Sequence, residues 1–315
     1  MCNGNRPKIG ILMSIQDMTS DLPVPRKDRK IAARIWSEAY AAIEFKIGLA
    51  VFSALVLAAI FYPMFSGIDP TKMAISSKLL PPLFMGEGWS WARPLGTDQL
   101  GRDMLSRSLV GLRYSLLIGI STTILMVAVG AMVGLFSGYF GGKVDTILMR
   151  LTDAQLAIPM IILAITILGV SRPTIPAIIL VLGLSGWPIY ARVMRSSVMS
   201  VRKKEFVRGA MVLGATDWRI MFTLILPLVL PPIAFVAVLD IARMMIFESV
   251  LGFLGLGVQP PTPTFGNIIA DGRKYLLNAW WIATMPGVFL VLTLTSINLM
   301  GSSLERARNS IYGGA

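Results

Sequence analysis

The chain has 315 residues, of which 55% are hydrophobic and only 15% charged, and its net charge is +12. Such a composition excludes a water-soluble fold, which carries about 25% charged residues, and excludes disorder, which needs low hydrophobicity. With no histidine and a single cysteine, Cys2, the chain lacks imidazole acid–base chemistry, Ser-His-Asp triads, His-built zinc sites, Cys-rich metal sites and any intramolecular disulfide. The expectation is an integral membrane protein whose work is conformational, with no catalytic residue, no metal and no cofactor of its own. The positive charge reads as loop charge. Nucleic acid is not an expected partner, because no basic stretch carries aromatic interleaving.

The first 45 residues are mostly polar, so no cleavable signal peptide is expected. Residues 1–12 carry no clear structural pattern, and both a tail and an alternative start at Met13 stand as readings. A helix crossing the hydrocarbon core needs about 20 apolar residues. Six segments qualify: 46–65, 115–139, 154–170 (with Asp145 as an allowed earlier start), 174–194, 223–246 and 279–300. The runs are continuous rather than alternating, which favours helices over barrel strands.

Basic residues orient the spans. With the N-terminus cytoplasmic, 19 of the 29 Lys and Arg residues fall in cytoplasmic segments, among them Arg6, Lys8, Arg26 and Lys27. Arg243 lies inside a span and the opposite topology would hold about nine, so both termini are expected in the cytoplasm. In the second span, Gly130, Gly134, Gly138 and Gly142 recur every four residues as one stripe. Small residues at that spacing let helices approach closely. Packing within the chain and a subunit interface both fit.

Between the second apolar run and the segment before it, residues 95–103 (LGTDQLGRD) read as a capped amphipathic helix. Thr97 is the candidate N-cap, and Leu100, Met104, Leu109 and Leu112 form one apolar face. Asp98, Arg102 and Asp103 are expected to pair locally at the external surface. Residues 248–279 are too rich in Gly and Pro to span and should form an external, partly re-entrant loop starting at Glu248. Asp240 and Arg243, late in the fifth span, are candidate pathway-lining residues. Their i, i+3 spacing also allows a purely structural pair. Asp153 is expected at an interface.

Residues 192–227 are basic, yet Ala210, Met211, Leu213, Ala215, Trp218, Ile220, Met221 and Phe222 are too apolar for a solvated connector. Gly214 interrupts a helical pattern and Thr216-Asp217 is a candidate N-cap. A helix, a glycine turn and a short helix lying along the membrane surface are expected, with Pro227 opening the next span. An exposed apolar helix needs a partner groove or a lipid surface.

This stretch resembles the EAA loop of ABC importer permeases, in the slots Arg208-Gly209-Ala210, Gly214 and Leu224-x-Leu226-Pro227. Arg208 stands in the Glu slot and Gly209 in the first Ala slot. Residues 93–119, 138–159 and 248–269 are similar to segments of the C-type subunit of the dipeptide/oligopeptide/nickel group. The resemblance implies an all-α integral membrane protein with six transmembrane helices and a type I ABC importer permease fold. It implies a cytoplasmic tail over 1–45, a first transmembrane helix and external segment over 46–112, and a permease domain over 113–308 with the coupling loop at 200–227. That loop, carrying Gly209, Ala210, Gly214, Ala215, Asp217, Leu224, Leu226 and Pro227, would dock on an ATPase subunit. The implied partners are a companion permease forming a heterodimer, two ATP-binding subunits holding ATP and Mg, an external substrate-binding protein and the lipid of a bacterial inner membrane.

No ATP site is read in the chain itself: at Gly141-Gly142-Lys143, Val144 replaces the Ser/Thr of a P-loop and Ser137 its leading Gly. Peptide is the implied substrate, with nickel complexes and sugar-derived compounds as alternatives on the same fold. An ion-coupled secondary transporter is the alternative class, which mid-span carboxylates would favour. The topology has a direct test. Reporters inserted after Ser200 and after Asn267 should report cytoplasm and exterior respectively, and one shared side for both would overturn the six-span arrangement.

Overall fold

The computed structural model describes residues 28–86, 88–171 and 173–313. The readings at residues 1–12, Met13, Cys2 and the basic residues Arg6, Lys8, Arg26 and Lys27 fall outside them. The ordered elements are helical, and the sole β feature among the described residues is an isolated bridge between Thr97 and Asp103. In chain order the helices are α1 (Asp28–Ala41), α2 (Ile43–Ser66), α3 (Met104–Phe140), α4 (Gly142–Leu156), α5 (Met160–Val170), α6 (Ile175–Arg202), α7 (Glu205–Val212), α8 (Asp217–Arg219), α9 (Leu226–Phe253), α10 (Phe265–Gly272) and α11 (Trp281–Gly313).

Four of these are unbroken and long enough to cross a membrane: α2, α3, α6 and α11. Two further spans are bent. The third is α4 and α5, which meet at 76°, because Pro159 enters just before α5 and cannot continue a helix. The fifth runs from Asp217 through a π turn at Ile220–Ile225 into α9 and bends by 56° after Pro231. Six crossings result. The expected third span over 154–170, with its allowed start at Asp145, is thus a bent pair of helices from Gly142 to Val170, and the fifth helix continues to Phe253, past the expected end at Ile246.

The contact between α3 and α6 is the closest in the bundle. A Cβ placed on Gly130 would lie 2.4 Å from the Tyr190 Cβ; on Gly134, 2.4 Å from the Ala191 carbonyl oxygen; on Gly138, 2.8 Å from that of Arg195. The partners advance along α6 as the glycines advance along α3, so the two helices run parallel. Both readings of the stripe are thus resolved in favour of packing within the chain. Gly142 is not part of it: α3 stops at Phe140, Gly141 turns the chain with φ +67°, and nothing lies within 4 Å of a Cβ on Gly142.

At the basic end of the bundle, Ile35 and Ala39 of α1 and Phe45 of α2 pack with Leu304 and Ala307 of α11. At the other end the expected helix over 95–103 does not form. Thr97 bonds instead to an earlier loop: its N–H donates to the Leu80 carbonyl (3.0 Å), and its hydroxyl accepts from Leu80 N–H (2.8 Å) and donates to the Ser77 carbonyl (2.6 Å). The helix N-cap is Asp103, which accepts from Ser106 N–H at 2.7 Å and starts α3. The helix-like spacing of Leu100 and Met104 came from a turn preceding a helix, which period alone does not separate.

The seam gives a sharp expectation. Gly134→Leu should abolish recovery of the folded chain, since the new side chain meets main-chain atoms of α6. Gly169→Leu, at a position with open space around it, should leave recovery from the membrane at the wild-type level. Equal recovery of both variants would show that the seam is not required.

Candidate coupling surface

The apolar half of the 192–227 segment is buried from within. Val207, Ile220, Met221 and Ile225 are fully buried in one cluster with Leu135, Tyr139, Tyr190, Met194 and Val198 from the α3–α6 seam. This explains the apolar excess in a basic loop: one face of α7 and the π turn belong to the core. After the glycine turn the chain forms the helical segment Asp217–Pro231, which passes through the π turn and meets the rest of α9 at 56°.

Gly214 has φ +80°. Its N–H donates to the Met211 carbonyl (3.0 Å), and Ala215 N–H donates to the Ala210 carbonyl (3.0 Å). These two bonds are the Schellman closure of a helix, which satisfies the last carbonyls and places an apolar contact across the turn. Ala210 and Ala215, both half-buried against the same cluster, occupy the contact positions. Small residues there let the turn lie flat on the bundle. Thr216 then caps the next segment by accepting from Arg219 N–H (3.4 Å). Asp217 is tied to the seam, since the Tyr139 hydroxyl donates to its carboxylate at 2.6 Å. Leu224 and Leu226 pack on the cluster, and Pro227, which lacks an N–H, sits where the π turn passes into α9. Gly209 lies on the exposed side of α7 with nothing within 4 Å of a Cβ.

The outer side of the turn is a different surface. Val212 and Leu213 are 87% and 88% exposed, and Phe206 and Trp218 are also exposed. Trp218 is held in place by stacking on Phe222 (ring centroids 5.5 Å apart) and an edge contact with Phe136. Val212 and Leu213 on the closed turn, with Phe206 and Trp218 on the helical segments before and after it, are large apolar side chains that the core leaves exposed. Arg208 stands exposed beside them, and Arg202 lies over the Tyr139 ring at 5.2 Å.

The other candidate residues lie elsewhere. Asp240 is buried in α9, pairs with Arg243 at 2.7 Å and accepts from the Tyr190 hydroxyl at 2.6 Å, while the Arg243 side chain is 44% exposed. Neither touches the loop. Asp153 pairs with Arg192 at 2.6 Å, both exposed.

At the end of the bundle away from the loop, Asp98 and Arg102 do pair, but inside the protein and not at its surface, while Asp103 caps α3 instead of pairing. Asp98, Arg102 and Arg107 are nearly inaccessible; Arg102 bonds Asp98 at 2.6 Å, and Arg102 and Arg107 both reach Asp271 in α10 at 3.4 Å. Nearby, burial pushes the Asp103 carboxyl above its ordinary range, against the pull of Ser106 N–H and the Arg93 charge.

The pattern did not reveal Glu248 as a core group. It lies inside α9, fully buried, accepting from the Ser115 hydroxyl at 2.8 Å; that hydroxyl in turn accepts from Phe265 N–H. The expected loop therefore begins after Phe253 and contains the short helix α10, with Phe265 and Ile268 buried. A lone Glu between apolar residues was the available signal.

Comparison with known proteins agrees with this architecture. Residues 130–309 match the model of the family described as binding-protein-dependent transport system inner membrane component. The chain is 36% identical over 260 residues to a di/tripeptide transport system permease protein of Pseudomonas aeruginosa, covering 82% of this chain and 86% of the relative. It is 36% identical to a dipeptide transport system permease protein of Haemophilus influenzae (83% and 88% covered) and 34% identical to a probable D,D-dipeptide transport system permease protein of Escherichia coli (82% and 85%). A chain from the inward-facing MetNI methionine ABC transporter shares the fold, with TM-score 0.50 at 20% identity over 63% of this chain and 94% of that one.

The closed turn predicts opposite outcomes for two glycines that both face open space. Gly214→Ala should strain the turn by about 1–2 kcal/mol and speed tryptic cleavage at Arg208 and Arg219. Gly209→Ala, in helical backbone, should slow cleavage through a gain of about 1 kcal/mol. Equal digestion rates would show that the Schellman closure does not hold the loop.

Proposed function

From the premise that this chain belongs to the family of binding-protein-dependent transport system inner membrane components, the permeases of ABC importers, we propose that it forms half of a peptide uptake pathway and is driven through the 200–227 loop. The observation that carries the reading is the patch of Phe206, Val212, Leu213 and Trp218 on and beside a turn fixed to the α3–α6 seam. A rigid apolar knob joined to the core can transmit a push from a partner to the helices; a mobile loop cannot. The partner is one of two ATP-binding subunits, which hold ATP and Mg and supply the hydrolysis. A companion permease completes the pathway and an external binding protein delivers substrate.

Lys and Arg density at the loop end supports a cytoplasmic loop and cytoplasmic termini in the inner membrane. The functional division into a tail over 1–45, a first helix with external segment over 46–112 and a permease domain over 113–308 accompanies this reading. So does a pathway role for Asp240 and Arg243. The substrate class follows the relatives, whose names specify dipeptides and tripeptides.

Leu213→Asp tests the coupling role without disturbing the fold, because the side chain already stands in the open. The variant should insert and pair with its companion permease as the wild type does. It should lose co-purification of the ATP-binding subunits and, with it, peptide uptake into vesicles. Wild-type values for both would reject the loop as the coupling element. Uptake of a nickel complex or a sugar-derived compound in place of peptide would redirect the substrate assignment alone.

A further inference from the structure

A second feature of the basic end is a cavity of about 340 Å³ where four helix ends meet. Its lining includes Gly141 before α4, Arg202 and Lys203 at the end of α6, and Arg208 and Met211 on α7. Asp145 is the one carboxylate in the lining, and it is already engaged by Ser137 and by Arg195, which donates through Nε (2.5 Å) and a terminal guanidinium nitrogen (2.6 Å). Arg202, Lys203 and Arg208 have no carboxylate within salt-bridge distance among the described residues. Three cations thus face one cavity whose only acid is neutralised from behind.

The cavity also receives the start of α4. Gly141 is its N-cap residue and, lacking a side chain, makes no capping hydrogen bond. The first N–H groups of this 15-residue helix, which have no intrahelical acceptor, lie next to that lining, between Gly141 and Asp145. Main-chain N–H donors at a helix start together with Arg and Lys are the donor set that holds a phosphate group.

We propose that this cavity is a phosphate-binding site, filled by the headgroup of an anionic phospholipid or by a soluble phosphate. Its place in the fold fits the first source, since α3 and α6 end and α4 begins there, at the basic end of the bundle, and basic cavities between the ends of spans take acidic headgroups. Met211 adds an apolar wall suited to the glycerol end of a lipid. Arg208 gains a role here that a glutamate in its place could not fill. The site requires only that the chain lies in a bilayer, and it stands whether or not the neighbouring turn docks on an ATP-binding subunit.

Native mass spectrometry of the assembled complex, reconstituted with phosphatidylcholine alone or with added phosphatidylglycerol, separates the possibilities. The wild type should retain phosphatidylglycerol, and Arg202→Gln, Lys203→Gln and Arg208→Gln should each weaken retention about fivefold. Arg150→Gln, at an exposed cation outside the cavity, should not. Inorganic phosphate that competes with the lipid, or binds in its absence and is lost in the same variants, supports the site with a soluble source. Equal retention of both ligands in wild type and the triple variant overturns the proposal. So does a triple variant that loses the ATP-binding subunits while lipid and phosphate binding stay unchanged, which would assign the three cations to a protein carboxylate.

Discussion

Everything at the basic end hangs from the close approach of α3 and α6. Glycine at three successive turns removes the side chains that would hold two parallel helices apart, and the main chains come into direct contact. In lipid this matters more than in water, because apolar surface gains little by leaving one oily environment for another and packing must supply the attraction. The residues that serve the loop are the neighbours of those glycines. Ser137 and Tyr139 flank Gly138; one bonds Asp145 and the other Asp217. Arg195 and Arg202 extend the facing helix. A widening of the seam would therefore move the turn at Gly214 and the cavity beside it together.

The charged groups inside the protein are best understood as locators. Asp98, Arg102, Arg107 and Asp271 join the start of α3 to α10, and Tyr190, Asp240 and Arg243 join α6 to α9. Desolvating such ions offsets much of their mutual attraction, so their net stabilisation is small. Their geometric demands are strict, however, and a misplaced helix would leave an ion unpaired at a cost of about 3–5 kcal/mol. Networks of this kind select one arrangement among several that apolar packing alone would permit.

The spans, their number and the special loop were legible in the sequence because each rests on a long-range average: runs of apolar residues, counts of Lys and Arg, or a motif spread over 20 positions. The glycine spacing disclosed a close contact but not its partner, which lies 50 or more residues further on. What failed was local. Residues 95–103 have a helical period, yet the Thr97 N–H is claimed by Leu80 and the Leu100 and Arg102 N–H groups by the Asp98 carboxylate, and such competition for hydrogen bonds leaves no mark on periodicity. Likewise Glu248 looked like the first residue of a polar loop. Its Ser115 partner sits 133 positions away, and only that pairing makes a buried carboxyl tolerable. At Gly142 a four-residue spacing continued past the end of the helix that gave the spacing its meaning.

The surface around the loop has two parts with different physics, and their adjacency carries a consequence. The patch at Val212 and Leu213 offers apolar area and no charge; the cavity beside it adds three cations, Arg202, Lys203 and Arg208. Apolar contact fixes affinity through buried surface, whereas the cations act over a Debye length of about 8 Å at physiological ionic strength. A bound phosphate would lower the local positive potential without touching the patch, so anything that docks on the turn would be steered less or more strongly according to whether the cavity is filled. Because α7 contributes Arg208 to the cavity and Leu213 to the patch, only five residues apart on one short helix and its cap, a ligand that tightens one wall restrains the other. The lipid composition of the adjoining leaflet and the mechanical stiffness of the turn are thereby linked through a single structural element.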